Sequence, residues 1–237
     1  MGIITTRVFP AAFLDYNGVL VDDEAVHCAA MRAAVRPLGV TFSERDYWER
    51  YLGFDDVGAF EAILRDAGRP PQPTLVTELV ETKGQLYLEA ARDQLRTFSG
   101  ADALVRRLAH AGPVAVVSGA LRHEIDFGLA VLGVADSICC IVAAEDTTAS
   151  KPDPEGYEIA QRRLRELGYA HAADRALVVE DSMAGVEAAK AAGLPCLAVA
   201  HTYPTARLVA SGADLVAESV AEVTDRMLEE LYARLYG

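Results

Sequence analysis

Short apolar runs, separated by helical patterns, predict most of the strands in this chain. They span residues 8–14, 113–117, 137–142, 176–179 and 196–200, with a shorter run near 214–216. Each run is continuous rather than alternating, which is typical of strands that are buried on both faces of a parallel sheet. Apolar residues at helical spacing fill the stretches between them. We therefore predict an α/β fold with a parallel sheet that is covered by helices on both sides.

The first predicted strand is followed by a long block that shows helical periodicity alone. The longest helix of this block is predicted from a stripe of residues at helical spacing: Leu75, Leu79, Thr82, Leu86 and Ala90. The alternation of strands and helices resumes after it. We therefore predict that residues 22–95 form a helical insertion in a core made of residues 1–21 and 96–237.

The charge of the chain limits the partners that we expect. The 237 residues carry a formal net charge of −13, and the pI is near 4.8. This acidic balance argues against nucleic acids and anionic membrane surfaces as partners. An anionic substrate would be repelled overall, so its site would need a local lysine or a metal ion. No leader peptide and no run of membrane-spanning length is recognisable, so we expect a cytoplasmic protein that is a monomer or a weak homodimer.

The cysteines do not indicate a zinc site or a disulfide framework. The chain has four of them, Cys28, Cys139, Cys140 and Cys196, and their spacing matches neither pattern. The last three lie in apolar runs that resemble strands. We therefore expect them to pack in the core rather than to take part in catalysis.

Polar residues follow the predicted strands at the edge where the carboxyl ends of parallel strands meet. They are Asp15, Ser118 with Gly119, Lys151 in a loop, and Glu180 with Asp181. Several carboxylates in one place repel each other and need a cation, and Mg²⁺ favours a few carboxylates together with water and phosphate oxygens. A lysine and a serine hydroxyl add a positive charge and a donor that suit phosphate. The set predicts phosphoryl transfer with Asp15 as the covalent acceptor.

Each member of this set also has a purely structural explanation. The alternatives are a hairpin turn at Asn17-Gly18, a turn at Ser118-Gly119, a solvated loop lysine at Lys151 and a helix cap at Glu180-Asp181. The order and spacing of the four together favour the functional interpretation.

Four stretches of the sequence together resemble the motifs of the haloacid dehalogenase (HAD) superfamily, in the branch with a helical cap inserted after the first motif. They are FLDYNGVLVDDE, VVSGALRHEI, SKPDPEGY and VVEDSMAGVEAAKAAG. The pattern is most similar to the phosphatases and mutases grouped around β-phosphoglucomutase and phosphoglycolate phosphatase. The resemblance implies a Rossmann-like core, a cap domain that closes over the site and sets specificity, and a Mg²⁺ cofactor.

The resemblance also implies a role for each polar residue of the set. Asp15 would be the nucleophile, Ser118 would supply a phosphate-binding hydroxyl, and Lys151 would be the lysine of the third motif. The Mg²⁺ ligands that it implies are Asp15, Glu180, Asp181 and the backbone carbonyl of Asn17.

Asn17 departs from the family pattern, in which a second aspartate stands two residues after the nucleophile and acts as acid and base. An amide cannot transfer protons at neutral pH, and losing such a group typically costs about 10²–10⁴-fold in rate. Four explanations are open. They are an engineered substitution, a natural feature of a slow or non-hydrolytic relative, replacement of the acid/base by Glu24 or His27, and deamidation of Asn17-Gly18 to aspartate.

We therefore expect a phosphatase that hydrolyses a small phosphorylated metabolite through an aspartyl-phosphate on Asp15, with turnover impaired by Asn17. A phosphate-binding or regulatory protein without turnover is the alternative from another class, and a phosphotransferase or phosphomutase is the alternative among enzymes. Dehalogenase and phosphonate-cleaving chemistry rank lower. Phosphonate-cleaving relatives use a cap lysine, whereas Lys83 lies on an amphipathic helix that predicts a solvated side chain.

Residues near the expected entrance suggest little about the substrate. The loop at residues 52–56 is acidic and contains no arginine that could hold a second phosphate. We expect Arg50 to lie on the surface. We expect His27 to be a partly exposed helix residue, and a position facing the site from the first cap helix is the alternative.

Overall fold

A six-stranded parallel sheet forms the centre of the molecule in a computed structural model that describes residues 9–237. The strands are Ala12–Leu14 (β1), Val21–Asp22 (β2), Arg96–Thr97 (β3), Val114–Val117 (β4), Cys140–Val142 (β5), Leu177–Glu180 (β6), Cys196–Val199 (β7) and Leu215–Ala217 (β8). The order across the sheet is β5-β4-β1-β6-β7-β8, and every pairing in it is parallel. The strand that precedes Asp15 therefore lies in the middle of the sheet.

Residues 9–237 form eleven α-helices, of which the first four lie between β2 and β3. They are Glu24–Val35 (α1), Glu44–Asp46 (α2), Asp56–Asp66 (α3), Pro73–Gln94 (α4), Ala101–Ala111 (α5), Arg122–Leu132 (α6), Glu155–Glu166 (α7), Ala170–Ala173 (α8), Met183–Ala191 (α9), Thr205–Ala210 (α10) and Asp225–Tyr236 (α11). Between residues 9 and 237, none of them is long and apolar enough to cross a lipid bilayer.

Successive strand residues point to opposite faces of the sheet, and both faces are buried. Leu14 belongs to the hydrophobic cluster on the face that α5, α6 and α11 cover. Phe13 belongs to the cluster on the other face, which α7, α9 and α10 cover. Because both faces are buried, apolar residues occupy successive positions along each strand. The predicted fold class, a Rossmann-like α/β core with an inserted helical cap, is confirmed.

The helical insertion has a hydrophobic cluster of its own. The chain leaves and re-enters the core through a short antiparallel ribbon in which β2 pairs with β3. Between these strands lie α1 to α4, and the buried members of one cluster, among them Met31, Phe60 and Leu79, come from this segment alone. The division at residues 22–95 stays a proposal, and residues 1–8 of the core part lie outside the described residues.

Two predicted strands are shorter than expected. Val8 lies outside the described residues, and β1 begins at Ala12. The run at 137–142 forms a strand only from Cys140, because Ala135–Ser137 is a 3-10 turn. Since β5 is an edge strand, Cys139 just before it is exposed and Cys140 is half-buried. The prediction of core packing was wrong for Cys139, whereas Cys140 packs against the core cluster from the edge and Cys196 is buried as predicted.

The buried face of α4 differs from the predicted apolar stripe by about one residue along the helix. Thr82 is exposed, and the residues that α4 buries include Val76, Leu79, Lys83 and Tyr87. These four recur at intervals of three or four residues, as a helix face requires. A lysine therefore occupies a core-facing position of the cap, and the prediction of a solvated Lys83 was wrong.

Candidate active site

Three strand ends converge at one edge of the sheet. Asp15 follows β1 directly, Ser118 follows β4, and Glu180 is the last residue of β6. Because β1 is hydrogen-bonded to both β4 and β6, these residues become neighbours although they are far apart in sequence. The position is a switch point of the sheet, where parallel α/β folds place their ligands.

The loop after Asp15 is a tight turn that requires a glycine. Gly18 has φ of +74°, and its N–H donates to the carbonyl of Val21 at 2.9 Å. A Cβ added at Gly18 would lie 1.9 Å from Oδ2 of Asp181. Only glycine allows both this backbone angle and this approach, so the turn keeps the peptide after Asn17 against the Asp181 carboxylate.

Lys151 links two carboxylates of the site. Its Nζ donates to Oδ1 of Asp15 at 2.8 Å, to Oε1 of Glu180 at 2.6 Å and to the carbonyl of Val117 at 3.0 Å. Burial alone would lower the pKa of Lys151, but the adjacent Asp15 and Glu180 carboxylates raise it. The lysine is therefore a fixed positive charge between the carboxylates rather than a solvated loop residue.

Glu180 is fully buried, and both of its carboxylate oxygens accept hydrogen bonds from the protein. Besides Lys151, the hydroxyl of Tyr157 donates to Oε1 at 2.7 Å, and the hydroxyl of Ser182 donates to Oε2 at 3.1 Å. Gly185 makes this position possible, since a Cβ there would lie 1.9 Å from Cδ of Glu180. Sequence analysis missed Tyr157, because its helical spacing in α7 is that of an ordinary core residue.

Asp15, Glu180 and Asp181 form a buried group of carboxylates whose oxygens lie within 4.8 Å of one another. Burial raises the pKa of Asp15 to about 6, against the opposing effect of Lys151. Burial, followed by the neighbouring Asp15 and Glu180, raises the pKa of Asp181 well above its usual value. Such convergence leaves negative charge that one lysine does not balance, and a donor set of carboxylates and a peptide carbonyl fits Mg²⁺.

Asn17 is held by a network that connects the turn to the cap. Its Nδ2 lies 3.0 Å from each carboxylate oxygen of Asp23 and 3.1 Å from Nε2 of His27. Tyr87 of α4 donates from its hydroxyl to Oδ2 of Asp23 at 2.5 Å. Burial would raise the pKa of Asp23, but His27 and these hydrogen bonds lower it. Asn17 thus acts as a donor to an ionised carboxylate. His27 is buried, contrary to the predicted partial exposure.

Ser118 is adjacent to Asn17 at the same edge. Its hydroxyl donates to Oδ1 of Asn17 at 3.3 Å and accepts from the N–H of Ala120 at 3.2 Å. Gly119 is exposed and lines a cavity between the strand ends and the cap. The structure therefore brings Ser118 and Gly119 to the same place as Asp15, as the sequence predicted for a phosphate site.

A cavity of about 540 Å³ opens between these strand ends and the cap. Its core side includes Asp15, Ser118, Lys151 and Asp181. Its cap side includes Tyr47, residues of α1, α3 and α4, and the loop at 52–56. This volume suits a small molecule, and a concave chamber with a few convergent polar groups is typical of ligand sites.

The profile of the haloacid dehalogenase-like hydrolases matches residues 9–193, which is more than half of the chain. The chain belongs to this family. It is therefore an enzyme of the hydrolase type, and the four motif stretches on which the resemblance was based lie within the matched part.

Relatives that include a phosphatase are similar to this HAD hydrolase over most of its length. Validoxylamine A 7'-phosphate phosphatase of Streptomyces hygroscopicus subsp. limoneus is 25% identical over 91% of the chain and 96% of its own length. Protein CbbY of Cereibacter sphaeroides is 29% identical over 90% of the chain and 93% of its own. The crystal structure of CbbY from Rhodobacter sphaeroides in complex with phosphate has a TM-score of 0.78, 25% identity and coverage of 90% and 96%. These relatives place the chain in the phosphatase branch of the family.

A buried lysine joins the cap to the core of this HAD hydrolase. Lys83 of α4 donates from Nζ to Oδ2 of Asp56 in α3 at 2.9 Å and to Oε1 of Glu124 in α6 at 3.0 Å. Burial would lower the pKa of Lys83, but the two carboxylates raise it. The lysine is therefore charged and paired twice. By contrast, Arg50 is exposed and pairs with Asp66, as expected of a surface residue.

Replacing Lys83 with Met should destabilise the protein by about 3–5 kcal/mol, because it leaves buried carboxylates without a partner. Chemical denaturation measured by circular dichroism gives the free energy of unfolding. The matched control is Lys190→Met, since Lys190 pairs with Asp214 at 2.7 Å but is 39% exposed in its side chain. We expect that control to cost about 0–1 kcal/mol. Equal losses in the two variants would contradict the special position of Lys83.

Proposed function

We propose that the protein is a Mg²⁺-dependent phosphatase of small phosphorylated metabolites that works through an aspartyl-phosphate on Asp15 and turns over slowly because of Asn17. The observation that carries the proposal is the convergence of Lys151 with the buried carboxylates of Asp15, Glu180 and Asp181 at the core side of the cavity. A phosphate group placed there would meet a nucleophile, a positive charge and the hydroxyl of Ser118. The phosphatase names of the relatives support the same reaction type.

The proposed residues have distinct parts in the reaction. Lys151 fixes the carboxylate of Asp15 through Oδ1 and draws negative charge from the phosphoryl oxygens. Asp15 attacks phosphorus, so that a bond from its carboxylate to phosphorus forms while the ester P–O bond breaks. Water then hydrolyses the aspartyl-phosphate and regenerates Asp15. The leaving oxygen needs a proton in the first step, and water must lose one in the second.

Mg²⁺ would be held by Asp15, Asp181 and the backbone carbonyl of Asn17, with Glu180 beside them. Both oxygens of Glu180 already accept hydrogen bonds, so its main part in this proposal is to position Lys151 and the start of α9. When bound, the ion would neutralise charge on the carboxylates and on the transferring phosphoryl group.

Asn17 is the residue that would limit turnover. Its amide donates to Asp23 and can neither protonate the leaving oxygen nor accept a proton from water. The intact amide is supported by the turn itself, because the N–H of Gly18, the atom that attacks in deamidation, already donates to Val21. His27 lies beside Asn17, so replacement of the acid/base by His27 is an idea to be tested by mutating His27 and Glu24 separately.

The first experiment is phosphate release from a panel of sugar and small-metabolite phosphates in the presence of Mg²⁺. Slow release that depends on Mg²⁺ would support the proposal. Mg²⁺-dependent binding without any product would favour the phosphate-binding or regulatory alternative. A product in which the phosphoryl group has moved to another hydroxyl, rather than to water, would instead favour a phosphotransferase or phosphomutase.

Mg²⁺ should stabilise the fold more at about pH 7.5 than at about pH 5. Burial raises the pKa of Asp15 from 3.8 to about 6, so the protonated side chain stabilises the metal-free fold at low pH. This contribution to the free energy of unfolding is lost as the pH rises through about 6. The ionised carboxylate is also the form that binds a cation, so the gain from Mg²⁺ appears above that pH. At a Mg²⁺ concentration about 100 times Kd, the gain in the free energy of unfolding would be about 3 kcal/mol.

Thermal denaturation with and without Mg²⁺ at the two pH values measures this effect. The control is Asp181→Asn, in which one proposed ligand loses its charge and the Mg²⁺ shift should shrink. A shift of the same size at both pH values, or one that Asp181→Asn leaves unchanged, would place the cation elsewhere.

A further inference from the structure

The walls of the cavity beyond its reacting end carry an excess of negative charge. The carboxylates that line this part are Glu24, Asp55, Asp56, Glu145 and Asp153. Among the described residues that line the cavity, the basic ones are Lys83, Lys151 and His27, and no arginine is present. His27 is paired with Asp23, since its Nε2 lies 3.2 Å from Oδ2 of that residue. Lys151 already pairs with Asp15 and Glu180. Lys83 is therefore the lysine that remains for a second anionic group of a substrate.

Lys83 is not free for that purpose. Its side chain is 1% exposed, against 20% for Lys151, and its ammonium group lies within 3.0 Å of oxygens of both Asp56 and Glu124. Turning it towards a ligand would leave two carboxylates of the cap–core junction without their counter-charge, which is costly in a buried place. The lysine thus neutralises the wall behind it and offers no positive charge to the chamber.

The walls also carry uncharged hydroxyl groups, such as those of Tyr47 and Thr148, and apolar surface, while protein hydrogen bonds fix two of the carboxylates. Tyr47 donates from its hydroxyl to Oε2 of Glu24 at 2.6 Å, which fixes that carboxylate at the cavity. Oδ1 of Asp55 accepts from the N–H of Gly58 at 2.7 Å, so this carboxylate is held at the start of α3. Apolar surface comes from residues such as Met31 and Val80. Fixed carboxylates attract hydroxyl and ammonium donors and repel anions.

We propose that this site selects phosphate monoesters whose remaining part is uncharged or carries an ammonium group, and that it rejects bisphosphates and phosphorylated carboxylic acids. The inference rests on the proposed function for the binding of the phosphate group at Asp15. Selection comes from the charge of the chamber walls. One phosphate finds Lys151, whereas a second anion would meet walls on which Lys83 and His27 are already paired with carboxylates and the remaining charges are negative. Because the chamber is partly enclosed, this repulsion is screened less by salt than repulsion at an open surface.

Two series of matched esters test the inference by binding alone. Glucose 6-phosphate, glucosamine 6-phosphate, 6-phosphogluconate and glucose 1,6-bisphosphate share one carbon skeleton and differ in the charge of the remainder. Ethyl phosphate, phosphoethanolamine and phosphoglycolate form a smaller series of the same design. Isothermal titration calorimetry with Mg²⁺ gives Kd for each. We expect the neutral and ammonium esters to bind at least about tenfold more tightly than their anionic counterparts.

A single substitution should reverse the discrimination. Val57 lines the cavity at the first turn of α3 and is 48% exposed, so a longer polar side chain is accommodated there. Val57→Arg adds a positive charge opposite the reacting end, and Val57→Gln is the neutral control of comparable polarity. We expect the ratio of Kd values, bisphosphate over monophosphate, to fall at least about tenfold in Val57→Arg relative to Val57→Gln. Thermal denaturation verifies that both variants are folded.

Each outcome separates this inference from the proposed function. Anionic esters that bind as tightly as their neutral counterparts overturn the inference, and so does a panel in which every ester binds like inorganic phosphate. Hydrolysis of esters without regard to charge leaves the phosphatase proposal intact but removes the selectivity. Charge-dependent binding without any phosphate release supports the selectivity and contradicts hydrolysis.

Discussion

Asp15→Asn is expected to abolish phosphate release, with a loss of at least about 10⁴-fold. The amide cannot form the aspartyl-phosphate, and no other carboxylate of the group can take its place. Glu180 is fully buried, and both of its carboxylate oxygens already accept hydrogen bonds. The turn at Gly18 covers Asp181 so closely that a Cβ on Gly18 would overlap the Asp181 carboxylate. Single-turnover mixing with substrate, followed by acid quenching and mass spectrometry, should find phosphate on the unmodified protein and none on the variant.

The loss in Asp15→Asn should not come from unfolding. Lys151 keeps its bonds to Glu180 and to the carbonyl of Val117, and an amide oxygen can still accept from it. Burial disfavours the ionised Asp15 carboxylate, so the metal-free variant should be at least as stable as the parent at neutral pH. Asp22→Asn is the matched control, because Asp22 is exposed on β2 and should leave phosphate release unchanged. Substantial activity in Asp15→Asn would refute the covalent mechanism.

The reacting end of the site follows from the sequence because its residues stand at strand ends. Once the apolar runs predict a parallel sheet, Asp15, Ser118 and Glu180 must meet at one edge, whatever their separation along the chain. The same argument places Gly18, since the turn after β1 needs a residue that adopts positive φ. Periodicity and topology are enough for these positions.

The contacts between the cap and the core do not follow from periodicity. Lys83 and Glu124 are 41 residues apart, and Asp23 and Tyr87 are 64 apart, on elements whose relative placement no local pattern encodes. A signal for Lys83 was nevertheless present. It lies four residues after Leu79 and four before Tyr87, both buried, so the true apolar stripe of α4 passes through the lysine. A charged residue on such a stripe indicates a buried ion pair.

Tyr157 and Cys139 show two further limits of the sequence. Tyr157 has the spacing of a core residue and is one, but its hydroxyl also donates to Glu180, and spacing carries no information on where a hydroxyl points. Cys139 belongs to an apolar run whose first half is not in the sheet, because a 3-10 turn precedes the edge strand. Edge and central strands have similar compositions, so burial at the edge was overestimated.

Asn17→Asp should raise turnover by about 10²–10⁴-fold, because it supplies the missing acid/base group. The structure adds a condition to this expectation. The new carboxylate would lie about 3.0 Å from both oxygens of Asp23, where the amide now donates. Two carboxylates this close cannot both ionise easily, so one pKa should rise and the variant should lose stability as the pH increases. Steady-state phosphate release across pH, with thermal denaturation, measures both effects.

The reciprocal double variant Asn17→Asp/Asp23→Asn removes that repulsion and restores one amide–carboxylate pair with the partners exchanged. An asparagine at 23 can donate to the new aspartate and still accept the hydroxyl of Tyr87 through its Oδ1. We therefore expect the double variant to keep the gain in turnover and to recover the stability that Asn17→Asp loses. Asp23→Asn alone is the control and should not raise turnover, since no acid/base group is added.

Equal turnover in the unmodified protein and Asn17→Asp would mean that another group already transfers the proton. His27, whose Nε2 lies 3.1 Å from Asn17 Nδ2, would then be the first residue to replace, followed by Glu24. A gain in Asn17→Asp that both His27→Ala and Glu24→Gln leave intact would instead assign the slow step to the amide alone. In that case Asn17 and Asp23 form one matched unit, in which the residue that limits turnover is also the donor that stabilises a buried carboxylate at the cap–core junction.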